Sequence, residues 1–418
     1  MKSLLAVFLL LGMGGFVWRT PTAPRQPADL PLLAIEDLQY AGAFRLPADE
    51  FGISSMNYSE GPLAYNPARE SVLVVGHSHQ QAIAEFTVPG IVNSTELADL
   101  PMATAPRQTF ATVLARTPDG NPESLDRIGG LAVIPGEDHD ELLVNAYEYY
   151  DAPGDNTLTT LVVRDATDLA GATVDGYWAF AGGAGHTSGW LSPIPPAWQA
   201  ALDGRYLTGQ SSGVPIIGRS SVGPSAFAFD PDDMGAAGTI PTVTLLDFSL
   251  DEPLHADLEN AAGDNDLWTH LSRVTYGFIA PGTRTYVTLG YSGGHVSGVC
   301  YKCTQDNGNV CGGYCAPQAD DYYQYFWLWD VNDLVAVREG RTEPHAVRPY
   351  AYGPFVTPFE NDLHQVGGAS FDPAGGLLYV TILAADRAQG EYANPPVVVV
   401  YRLEAPVRHH LFLPFLRP

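Results

Sequence analysis

Five of the eleven histidines, His77, His79, His186, His295 and His364, stand beside short glycine-rich apolar segments. Neutral imidazole is a common ligand of divalent metals, and two rings flanking Ser78 point the same way if that segment is extended. His77, His79, His186 and His364 are therefore candidate ligands of a divalent ion whose identity the residues do not fix. Glu60, Asp126, His186 and His364 are candidate acid–base groups. Two carboxyls set across a sugar ring could serve as acid and base. Arg127 and Arg273 can grip a carboxylate, sulfate or phosphate through two parallel hydrogen bonds. Tyr147, Tyr149, Gln210 and Tyr291 add stacking faces and hydrogen-bonding groups for a sugar. Each has a plainer reading as well: loop histidines bonded to backbone, and Arg127 neutralised by the adjacent Asp126.

What would bring such scattered residues together is a repeat. A small apolar segment runs into a proline at Pro67, Pro135, Pro195, Pro281 and Pro373. Six residues before it stand Gly61, Gly129, Gly189, Thr275 and Gly367. A second apolar strand follows each copy: 72–75, 142–145, 206–208, 286–289 and 378–382. Third strands end in aspartate turns at Asp165, Asp230 and Asp330, which suit hydrogen bonds to their own backbone. Fourth strands are expected at 108–111, 177–180, 242–248 and 346–350. Four strands per unit and five units give an all-β, five-bladed β-propeller. Six blades is the main alternative, should 250–272 hide strands.

Ring closure needs the last blade completed, and Leu38–Phe44 is the strand available to pair beside Val397–Tyr401. Closing the ring in this way leaves no open sheet edge. Trp198–Leu202 reads as a short helix inserted in the third blade. In a propeller the chain enters each innermost strand, and leaves each second strand, at one face. Tyr58, Asp126, His186, Ser272 and His364 hold the entry position. The exit position is held by His77, Tyr147, Gln210 and Tyr291, so a site is expected at the channel mouth.

Composition narrows the partners. The 418 residues carry 47 acidic against 21 basic side chains, a net charge of −26. Such a surface repels nucleic acid and anionic lipid. Residues 1–20 read as a signal peptide or N-terminal anchor, since Leu4–Val17 is uncharged but too short to span a bilayer. Residues 21–35 read as a proline-rich linker, 36–406 as the propeller and 407–418 as a tail. The protein is therefore expected to be secreted or at the cell surface, with no membrane contact beyond that anchor. Cys300, Cys303, Cys311 and Cys315 fall within one loop. Export favours two disulfides over a zinc knuckle, with three pairings open.

The repeat organisation over residues 36–406 resembles five-bladed propellers of the glycoside-hydrolase type. That resemblance implies an extracellular polymer, a glycan, as partner. The opening Trp, Asn or Asp-Pro motifs of that group are missing here, so none of its catalytic residues carries over. Gly76-His77 through Gln81, and Arg219 through Gly223-Pro224, are similar to segments of uncharacterised secreted propeller proteins, and no activity follows from them. The function expected is hydrolysis or elimination on a glycan at the mouth. Its rivals are a glycan-binding surface without catalysis and a histidine-ligated metal oxidoreductase.

Overall fold

The computed structural model describes residues 27–211, 216, 218–235 and 238–404. The signal segment, most of the linker's start and the C-terminal tail lie outside them. Five antiparallel sheets are arranged so that their innermost strands touch in a closed ring. These strands are Leu63–Asn66, Arg127–Ile134, Leu191–Pro193, Arg273–Ile279 and Val366–Asp372, one for each of blades one to five. The segment 250–272 contains no strand among the described residues, so the alternative of six blades is set aside.

The ring closes as expected. Leu38–Arg45 pairs antiparallel with Val397–Leu403, Phe44 opposite Val398, as the outermost strand of blade five. Val397–Tyr401 is buried at every position. A strand covered on both faces by neighbouring blades carries an unbroken apolar run, which explains this Val-rich stretch. Glu85, fully buried in a strand of blade one, is a charged exception to such apolar runs. Arg69 grips it through two nitrogens, and Ser71 and Gln108 also donate to it.

The repeated glycine has a packing cause. A Cβ on Gly129 would lie 2.1 Å from the Ser188 carbonyl oxygen of blade three, and one on Gly367 would lie 2.7 Å from the Glu60 carbonyl oxygen of blade one. Near the axis the inner strands approach backbone to backbone, and only glycine leaves room. The turn aspartates are structural too: Asp165, Asp230 and Asp330 accept from the backbone amides of Thr167, Asp232 and Asn332.

Three local expectations need correction. The outermost strand of blade four is Ala351–Pro354, not 346–350, because Pro344–Ala346 forms a 3-10 turn first. In blade three a short helix, Ala184–Thr187, precedes the inner strand, closed by the Thr187 hydroxyl donating to the Gly183 carbonyl. From Pro27 onward the expected linker is docked: Leu33 is buried and its amide donates to Thr285 Oγ1 at 2.9 Å. The inserted helix of blade three is present as Pro196–Leu202.

Candidate functional site at the channel mouth

Trp190 is buried near the axis, its indole N–H donating to the Tyr286 phenol at 3.1 Å. Trp190 also borders a second, smaller cavity walled by Leu63, Leu131, Tyr276 and Ala369. Above it lies a cup of about 360 Å³ at the mouth, with Trp190 in its lining. Its polar walls are Tyr58, Glu60, Tyr147, Gln210, Arg273, Tyr291, Asn361, Gln365 and Asn394. All five blades contribute.

Strand register explains how the charged groups meet. Arg127 stands opposite Tyr147 on adjacent strands of blade two, and Arg273 stands opposite Tyr291 in the same way on blade four. Arg273 reaches across the cup and donates through Nη2 to the Tyr147 phenol at 3.1 Å. Burial acts against its charge, but the phenols of Tyr147 and Tyr291 and the Glu60 carboxylate outweigh that, so Arg273 is held firmly cationic. Burial pushes the Tyr147 phenol above its ordinary range, with Arg273 opposing and Glu60 adding to the rise. Tyr147 therefore stays protonated through neutral pH.

Among the described residues, Glu60 is the only carboxylate lining the cup. Arg127 stands behind it, Nε 3.5 Å from Glu60, while Nη1 lies 3.2 Å from Asp126. Its guanidinium also lies 4.9 Å above the Tyr149 ring. Asp126 in turn accepts from the Tyr149 amide at 2.8 Å, tying down the exit loop of blade two. Arg127, Asp126 and Tyr149 thus form a brace outside the cup rather than part of its lining. For Asp126 the plainer reading, a structural ion pair, is the one observed.

The histidines do not converge. His186 lies on the short helix of blade three and pairs through Nδ1 with Asp247 at 2.5 Å, at the blade's outermost strand. His364 has a left-handed backbone (φ 50°) and pairs with Glu360 at 2.8 Å. The His77 and His79 rings pack against each other, 5.0 Å between centroids, and His77 also packs on Tyr58. Burial, helped by His79, holds the His77 pKa below its usual value. His295 is tied to Ser292 and to the Asn265 carbonyl. Among the described residues, the one group of three metal-capable side chains within 4.8 Å is Cys300, Cys303 and Cys315. The metal set expected from His77, His79, His186 and His364 is therefore not assembled, because two of them turn toward carboxylates away from the axis. The cysteines pair as Cys300–Cys303 and Cys311–Cys315.

Four polar groups of the cup were not singled out as site residues in the sequence: Tyr58, Asn361, Gln365 and Asn394. Two had a signal in the repeat, since Tyr58 is an entry residue and Gln365 follows one. Asn394 had none, as it lies far along the loop after the second strand of blade five. It accepts from the Tyr58 amide at 2.9 Å and so stitches blade five to blade one.

No protein-family model matches the chain, and no curated protein matches it. Among solved structures it is similar to the PQQ-bound form of an aldose sugar dehydrogenase from Streptomyces coelicolor. The identity is 12%, the match covers 86% of this chain and 99% of that one, and the TM-score is 0.39. It is also similar to hydrazine synthase from Kuenenia stuttgartiensis, at 11% identity, 94% and 100% coverage and a TM-score of 0.32. Likeness of this degree carries no information about the reaction. The class rests on the molecule's own architecture: a five-bladed β-propeller with a polar cup at its mouth.

Proposed function

We propose that the protein is an exported enzyme that cleaves a uronate-containing glycan by β-elimination in this cup. The observation that carries the reading is the cup's inventory of ionisable groups: one carboxylate, one guanidinium and three phenols, with Arg273 bonded to Tyr147 across the axis. Hydrolysis by the usual carboxyl pair needs a second carboxyl group, and Glu60 has no such partner in the lining. Elimination needs one base, one acid and one cation, which is the set present.

In this reading the substrate carboxylate sits on Arg273, whose charge stabilises the enolate that develops when the adjacent carbon loses its proton. Glu60 takes that C5 proton. The C5–H electron pair forms the C4=C5 double bond, the C4–O4 bond breaks, and the Tyr147 phenol gives its proton to the departing O4. The proton on Glu60 then returns to the Tyr147 oxygen through solvent, restoring both groups. Arg127 holds Glu60 from behind, and Trp190 floors the cup. No step is routed through a metal, since the expected histidine ligands are dispersed.

The net charge of −26 bears on the substrate. A densely charged polyanion is repelled, whereas screening confines the repulsion of a sparse charge to about 8 Å at physiological salt. A glycan with occasional uronates among neutral rings fits best. Export is supported by the two disulfides. Among the described residues no helix is long and apolar enough to cross a membrane. The test is ultraviolet absorbance of unsaturated uronate released from gellan, whose uronates are sparse, and from polygalacturonate, whose uronates are continuous. Product from gellan that disappears in Glu60→Gln and Tyr147→Phe is expected. No product from either glycan would sink the reading.

A further inference from the structure

The cysteine loop of blade four leaves the mouth face directly after the second strand, Thr285–Gly293, which carries Tyr291 into the cup. It is built as a rigid projection. Cys300–Tyr301 pairs with Tyr314–Cys315 as a small hairpin, and each disulfide closes a short loop within one arm, one around Tyr301 and one around Tyr314. At the root, the buried Asp321 carboxylate accepts from the Val296 and Ser297 amides and the Ser297 hydroxyl. Gln305 and Ala316 tie the far strand to the Tyr322 phenol.

This scaffold displays a run of flat rings. His270 stacks on Tyr314 with centroids 4.2 Å apart and planes 22° from parallel. Tyr301 lies 5.1 Å beyond Tyr314, its plane tilted by 57°, and keeps 60% of its surface exposed. None of these rings lines the cup or braces Arg127. An exposed ring such as Tyr301, beside the half-buried Tyr314 and both held in disulfide-closed loops, presents area to a ligand with little ordering cost, and the apolar face of a pyranose matches such a surface.

We propose that Tyr301 and Tyr314, backed by His270, form a second sugar-binding site for the neutral rings of the same glycan strand whose uronate occupies the cup. The ligand class rests on the function proposed above; the site itself rests on the stacked rings and their place on the mouth face. Neutral rings are the occupant that the molecule's negative surface accepts, and the single lysine of the loop, Lys302, lies 5.1 Å from the Tyr301 ring centroid.

The experiment is native electrophoresis of the intact oxidised protein through gels containing hydroxyethyl cellulose, a neutral glycan, or gellan. Retardation of the wild type in both gels is expected. Tyr301→Ala and Tyr314→Ala each weaken it about fivefold in both, and Arg273→Met weakens it in gellan alone. Thiols that stay unreactive in the tyrosine variants show that the loop is intact. Equal retardation of wild type and both tyrosine variants, or none of the wild type in either gel, overturns the proposal. Tyrosine-sensitive retardation without any unsaturated product leaves this site standing and removes the elimination reading instead.

Discussion

Arg273 of blade four and Tyr147 of blade two, 126 positions apart in the chain, meet across the channel mouth through a 3.1 Å hydrogen bond. Each is the strand partner of an equivalent residue on its own blade, so the contact is the repeat seen twice and facing itself. The bond holds one permanent cation and one protonated phenol at the same point of the cup.

The first prediction concerns that pair. Tyr147→Phe removes the proton donor and keeps the ring, and is expected to lower kcat about a hundredfold or more. Arg273→Lys keeps the charge but loses the planar fork, and is expected to raise KM as well as lower kcat. Steady-state kinetics on gellan check both. Activity within twofold of wild type in Tyr147→Phe would remove the phenol from the mechanism, on the same order-of-magnitude reasoning.

Blade packing makes a second prediction, independent of function. Gly129→Ala places a methyl group 2.1 Å from a backbone oxygen that cannot rotate away. A loss of about 3 kcal/mol or more is expected, read from denaturant midpoints, because overpacking against backbone forces the blades apart. Alanine at Gly120, where the added carbon meets nothing within 4 Å, is the contrast. There only the left-handed backbone (φ 70°) resists the change.

Stability against pH is the third. Burial alone would raise the Glu85 carboxyl pKa, but hydrogen bonds from Arg69, Ser71 and Gln108 outweigh it and hold the value below the ordinary range. A depressed folded-state pKa contributes stability that is complete above the unfolded value of about 4.3 and is lost as pH falls through the folded value. Glu85→Ala strands Arg69 and is expected to cost about 3–5 kcal/mol at neutral pH. Its stability should also fall less on acidification than that of wild type. Parallel acid-unfolding curves for the two proteins would contradict this.

The fourth concerns the loop. Unreduced protein should show no reactive thiol and reduced protein four, from Cys300, Cys303, Cys311 and Cys315. The bridges span only 3 and 4 positions, so each removes little chain entropy, about 2 kcal/mol at most. Reduction is therefore expected to loosen the hairpin around Tyr301 while the propeller unfolds at nearly the same midpoint. A collapse of the global midpoint on reduction would show that the loop supports the blades.

Much of the framework was legible because it follows from local rules. Apolar runs, the Gly-to-Pro spacing and the aspartate turns each depend on a few neighbouring residues, and they place the five blades and the closing strand. The exit positions pointed to Tyr147, Gln210 and Tyr291, and the residues just after the entry positions include Glu60 and Arg273, all of which line the cup. The histidines misled because their equivalent positions fixed where the backbone stands, not where the side chain turns. His186 is drawn to Asp247 and His364 to Glu360, and neither carboxylate belongs to the repeat.

By itself the sequence determined the number of blades, the face that bears the site and the strand that closes the ring, because periodic burial and backbone crowding are written residue by residue. Only the tertiary structure decided which rim residues share one cup. It set Glu60 inside and Asp126 outside, placed Trp190 in the cup's lining, and carried Asn394 to Tyr58. Those outcomes depend on contacts between blades, and side chains far apart in the chain choose their partners only once the ring has closed.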